Sequence, residues 1–237
     1  MANQSVSVSD ANAPRGVPVR SNGGSMSASS AAFGLVIANA TVFTSSFCIM
    51  VIELVAGRLI APYVGSSLYT WTSIIGVVLA GIAGGNYLGG RVADRYAKDS
   101  RGARRTLAGL FGLAGVVALG IGLFNRIVGS MPFLEGMDSL KLRIALHVVL
   151  VFFIPCGMLG LISPVVAKSA LDLGRRTGRT MGSVYAWGVV GSIVGTFMTG
   201  FYFIAVMNTS TIILSVGCLL LAVAAMYGAA SMSRTTK

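Results

Sequence analysis

Charge is what this sequence has least of. Among its 237 residues only 7 are Asp or Glu, and charged residues of both signs make up 11%, against about 25% in soluble globular domains. A water-soluble enzyme needs a polar surface that this chain cannot supply, so that class is excluded, as is a disordered chain. Histidine occurs once and cysteine three times, at Cys48, Cys156 and Cys218. All three cysteines fall inside apolar runs without C-x-x-C spacing. That pattern excludes a disulfide-stapled secreted domain and reads as small buried hydrophobes, not metal ligands or a redox pair. The sequence carries no other metal-ligand or cofactor-binding pattern, so neither a metal nor a cofactor is expected.

What the chain does have is apolar residues, at 54%, together with 31 glycines. Apolar runs lie at about 34–58, 68–90, 106–124, 142–164, 181–204 and 210–228. Each approaches the ~20 residues needed to cross a hydrocarbon core. In lipid every backbone N–H and C=O must be paired within the segment, which makes such runs helices. Strands of a membrane barrel would alternate in polarity, and nothing here does. The expected fold is all-α: a polytopic membrane protein with six transmembrane helices over 33–228. Residues 1–32, rich in Ser, Ala, Asn and Gly, read as a disordered cytoplasmic tail, and 229–237 as a short cytoplasmic tail.

The net charge of +11 follows the connections between runs. One side collects Arg15 and Arg20, then Arg91, Arg95, Lys98, Arg101, Arg104 and Arg105, then Lys168, Arg175, Arg176 and Arg179, and finally Arg234 and Lys237. The other side holds Arg58, Arg126, Lys141 and Arg143. The positive-inside rule places both termini in the cytoplasm of a cell membrane, the inner membrane in a bacterium. Anionic lipid is then the partner of the basic turns. No nucleic-acid-binding motif is present, and no nucleic acid is expected as a partner.

A repeat is visible in the glycine-rich runs. GIAGGNYLGG (Gly81 to Gly90) and GSIVGTFMTG (Gly191 to Gly200) align at an offset of 110 residues. Helices separated by three crossings run in opposite directions, so this pattern predicts a 3+3 inverted repeat, half of a major-facilitator-like fold. Chance recurrence of small residues in membrane helices is the alternative. Gly81, Gly85 and Gly89 are four apart, as are Gly191, Gly195 and Thr199. Such stripes let backbones approach closely, for packing within the chain or across a homodimer face.

Polar residues inside the runs are the candidate sites. Glu53 lies in the first run, five residues before Arg58, a spacing that pairs poorly on one helix and predicts a partner elsewhere. It reads as a proton or cation site, or as a structural ion pair near the outer interface. Asn86, with Thr196 in the matching place, predicts interhelical hydrogen bonding. His147 reads as a packed or interfacial histidine, or as a pH sensor. Pro155 and Pro164 predict bends in the fourth helix. Tyr63, Tyr69 and Trp71 resemble an interfacial aromatic belt. In the connection from Gly89 to Leu107, Asp94 follows the expected helix end beside Arg95. Such an acid could cap a neighbouring helix or pair with a loop arginine, latching the cytoplasmic side.

The Gly90, Asp94, Arg95 pattern with its later arginines resembles the loop after the second helix of major facilitator transporters. A wider resemblance is carried by ELVAGRLIAPYVGSSLYTWTSIIGVVLAGIAGGNYLGGRVADR and by PCGMLGLISPVVAKSALDLGRRTGRTMGSVYAWGVVGSIVGTFMTGF. Both are similar to the membrane region of the fused major-facilitator-like/spermidine synthase family. Glu53, Arg58, Pro62, Trp71, Asp94 and Pro164 fall in these blocks. In that family a cytosolic aminopropyltransferase domain typically follows. Here the sequence stops at Lys237, and GNYLGG is intramembrane rather than a nucleoside-binding loop. The resemblance therefore implies a non-catalytic membrane module acting with a separately encoded synthase-like chain. The alternatives are a half-transporter for a cationic solute such as a polyamine, expected as a homodimer, and a structural subunit of a membrane complex.

Overall fold

The protein, seen in a computed structural model, is described over residues 28–97, 99–173 and 177–232. Its helices are α1 (Ala28–Val64), α2 (Leu68–Tyr96), α3 (Ser100–Gly129), a short α4 (Pro132–Glu135), α5 (Leu140–Gly160), α6 (Ile162–Leu171), α7 (Thr177–Phe197), a π-helical segment (Met198–Phe203), α8 (Ile204–Val206) and α9 (Thr209–Met232). Six helical stretches among the described residues are long and apolar enough to cross a membrane: Ala32–Val64, Leu68–Tyr96, Ser100–Gly129, Leu140–Leu171, Thr177–Val206 and Thr209–Met232. They are the first to sixth spans below. The described residues contain no strand.

The helices outrun the apolar segments. Residues 28–32, read as tail, already belong to α1, and α9 continues to Met232. Gly90, Asp94 and Arg95 lie on α2, not in a loop. The reason is that Ala, Arg and Tyr sustain a helix beyond the hydrocarbon, since backbone hydrogen bonding does not depend on hydropathy. Residues 1–27 and 233–237, with Lys98, Arg175 and Arg176, lie outside the described residues, and the tail readings there go with them.

The ends of the spans are set by local chemistry. The Ser67 hydroxyl caps α2 by accepting from the Thr70 N–H, and the Asp99 carboxylate caps α3 by accepting from the Gly102 N–H at 2.8 Å. Gly65, at φ +76°, makes the left-handed turn between the first two spans. Only one of the two prolines interrupts the fourth span. Pro164 has no N–H to offer the Gly160 carbonyl, and the helix breaks at Leu161. Pro155 sits inside α5 without interrupting it. The π-helical stretch in the fifth span buries Thr199 completely, and the Thr199 hydroxyl finds no hydrogen-bond partner among the described residues.

Three helix pairs make the most extensive contacts: α3 with α9, α2 with α5, and α1 with α7. The apolar core runs between them through side chains such as Ile52, Ile74, Phe111, Phe152 and Leu220.

Candidate functional site

Two glycine stripes set the spacing of the helices around the site. A Cβ on Gly81 would come within 2.9 Å of the Phe153 carbonyl oxygen, and one on Gly85 would overlap that of Gly157. On Gly89 it would reach 2.7 Å from the Leu161 oxygen, beside the Pro164 ring. The second span thus lies backbone to backbone against the fourth, at the fourth span's break. The fifth span meets the first in the same way. A Cβ on Gly191 would overlap the Phe43 carbonyl, and one on Gly195 would come within 2.8 Å of that of Phe47. The stripes therefore face partners inside this chain.

Between these two pairs lies a cavity of about 460 Å³, open to one side. The first span lines it with Ser45, Ser46, Ile49 and Met50, the second with Ile82 and Asn86, the fourth with Leu159, Gly160 and Ser163. The fifth completes it with Tyr185, Ser192 and Thr196 among others. Its polar groups are hydroxyls and one amide. Asn86 is exposed and makes no hydrogen bond to a described residue, while the Thr196 hydroxyl donates to the Ser192 carbonyl of its own helix at 2.9 Å. The interhelical bond expected of Asn86 is therefore not formed. The residue sits one position beyond Gly85 and faces the cavity instead of the packed seam.

Glu53 is half-buried on the first span, one helical turn from Met50 and one from Gly57, whose face packs on the Trp71 ring. Among the described residues it has no ion-pair or hydrogen-bond partner. Arg58 is engaged elsewhere: its guanidinium donates to the Ile204 carbonyl just after the π-helical stretch, at 3.1 Å. Glu53, Arg58 and Asn86 do not form one polar cluster, because Arg58 turns to the fifth span's end while Asn86 lies nearer the opposite face.

The basic end holds a different connection. The Lys168 ammonium bonds the Asp94 carboxylate at 2.9 Å and donates to the Ala93 carbonyl at 3.2 Å. Asp94 thus ties the second span to the fourth through a lysine, not through a loop arginine, and the helix cap belongs to Asp99. Arg95 lies over the Tyr96 ring at 5.8 Å, and a Cβ on Gly90 would meet nothing within 4 Å. Arg91 stacks on Tyr87 and donates to its hydroxyl. Arg104 donates to the Ala230 carbonyl at 3.3 Å, where a cation complements the end of α9.

At the other end the most buried polar pair is one that hydropathy hides. His147, 1% exposed, shares a 2.8 Å hydrogen bond with Asn125, whose amide donates to the Leu59 carbonyl at 3.0 Å. Three spans are joined by it. Tyr63 does not stand in an aromatic belt: its ring packs on Gly129 and lies 5.5 Å from the His147 ring, and its carbonyl accepts from Arg143. Tyr69 and Trp71 do reach the surface, with Lys141 over the Tyr69 ring at 4.8 Å. Cys48 and Cys156 are buried and Cys218 is exposed. No cluster of metal-ligating side chains exists among the described residues. Comparison with protein-family models, with curated proteins and with solved structures finds no match to this chain.

Proposed function

We propose that the chain is a half-transporter for a cationic solute such as a polyamine, built as two inverted three-helix repeats and completed by a second copy. The observation that carries this reading is the pairing of residues around the cavity. Gly191 stands 110 positions after Gly81, and the carbonyls they face, Phe153 and Phe43, are separated by the same 110. Gly85 with Gly157, and Gly195 with Phe47, repeat the relation. The cavity lining obeys it too: Ile49 matches Leu159, Met50 matches Gly160, Ile82 matches Ser192 and Asn86 matches Thr196. A cavity on such an axis is where inverted-repeat transporters bind solute.

The residue that matches the cavity-lining Ser163 at this offset is Glu53. Its carboxylate stands a turn from the lining and supplies the negative charge a cation would need. The cavity's open side exposes Asn86 and Thr196, with Ser192 half-buried between the walls, groups that lipid solvates poorly and a second copy would cover. The arginine-rich ends face the cytoplasm in this reading. Uptake of labelled spermidine into proteoliposomes of the purified chain, lost in Glu53→Gln, is the expected result. Absent uptake, or uptake that Glu53→Gln leaves unchanged, removes the proposal.

A second reading has one observation in its favour. The two blocks that resemble the spermidine synthase family fall on the ends of the first and fourth spans and on the second and fifth, the four helices that wall the cavity. In this reading the module hands a ligand to a separate synthase-like chain. Co-purification with such a chain encoded nearby is its test.

A further inference from the structure

We infer a second, oppositely charged site at the other end of the bundle, one that takes an oxyanion of the phosphate class. A cavity of about 480 Å³ lies there between the ends of the first and third spans and the start of the sixth. Arg58 and Arg126 both line it, with Tyr63, Asn125, Thr209 and Ser210, and among the described residues no carboxylate does. Both arginines are exposed at the bundle end, and two guanidinium groups lining one cavity repel unless an anion or solvent offsets them. Among the described residues Arg58 has only the Ile204 carbonyl as a partner, and the Arg126 guanidinium bonds none.

Beside the apolar Leu59, Pro62 and Leu123, the start of the sixth span adds donors to this wall. The Ile212 N–H closes the first turn of α9 on the Asn208 carbonyl, which leaves the N–H groups of Thr209 and Ser210 without a partner inside the helix. Those groups and the two hydroxyls stand at the positive end of a 24-residue helix. Asn125 is fixed by His147 and Leu59 and keeps the third span in register with the first. Guanidinium forks with backbone N–H groups form a set suited to phosphate oxygens. The anion could come from a lipid headgroup or from a soluble phosphate, and the chemistry of the site is the same for both.

The test uses the full chain, delipidated in a maltoside detergent that contributes no phosphate. Its melting temperature is followed while inorganic phosphate replaces chloride at constant ionic strength and, separately, while short-chain phosphatidylglycerol is added. A saturable rise is expected in one arm, and the responding arm identifies the source. Arg126→Gln is expected to melt normally without ligand and to weaken the response about tenfold or more. Lys141→Gln, whose ammonium lies on Tyr69 outside the cavity, is expected to respond as the parent does. The inference is overturned if neither arm shows a rise, or if Arg126→Gln leaves the rise unchanged.

Discussion

Spans one to three and spans four to six solve the same packing problem with different backbones. In each set the middle helix presents small residues to a helix of the other set, Gly81 and Gly85 to the fourth span and Gly191 and Gly195 to the first. Yet the first span is continuous through the region facing Gly195, whereas the fourth is broken at Leu161 beside Gly89. The second span is regular to Tyr96, while the fifth passes through a π-helical stretch before its last turn. The charge differs as well, Glu53 in one set standing where the other has Ser163. The lesson is that the glycine contacts fix the distance between helices and little else. Irregular backbone and charge are free to differ, and they differ around the cavity.

The comparison is broken most forcefully at the stripes. Gly85→Leu drives a Cβ into the Gly157 carbonyl, which is backbone and cannot swing away, and the expected loss is about 3 kcal/mol. Gly195→Leu is expected to cost a similar amount against Phe47. Gly84→Leu is the control, because nothing lies within 4 Å of its Cβ, and it should stay within about 0.5 kcal/mol of the parent. Unfolding of the purified chain in mixed micelles by added dodecyl sulfate measures all three. Equal losses at Gly84 and Gly85 would mean the seam is elsewhere.

A smaller effect is expected where only the first set contributes a buried amide. Asn125→Leu strands His147 and removes the second donor to the Leu59 carbonyl, and should cost about 1–2 kcal/mol in the same assay. The smallest belongs to the basic end. Lys168→Met removes the tie to Asp94, whose side chain is 82% exposed, and is expected to lower stability by less than about 1 kcal/mol. That difference should fade when salt is added, while the Gly85→Leu loss should not.

The six crossings were legible because lipid demands them: an apolar run of such length has no other way to pair its backbone. The helix ends were not, since Ala28, Tyr96 and Met232 continue helices on hydrogen bonds that hydropathy does not register. The glycine stripes announced close packing, but their partners could not be read from spacing along one helix. The Pro164 break follows from a missing donor four residues after Gly160, whereas Pro155 carries the same local signal and leaves its helix uninterrupted. Asn125 was missed altogether, because a lone amide near a span's end becomes informative only once His147 and Leu59 are known to meet it. The Lys168–Asp94 pair was half legible: the acid stood out, and its partner lay 74 residues away on another helix.

Sidedness of matched turns tests the central claim, that the two sets of three spans run through the membrane in opposite directions. Single cysteines in place of Ser66, in the turn after the first span, and Thr177, at the start of the fifth, can be introduced after Cys48, Cys156 and Cys218 are replaced by alanine. Both positions are exposed. A membrane-impermeant maleimide applied to intact cells is expected to label the cysteine at 66 and to reach the one at 177 only after the membrane is opened. Labelling of both from the same side would contradict the account.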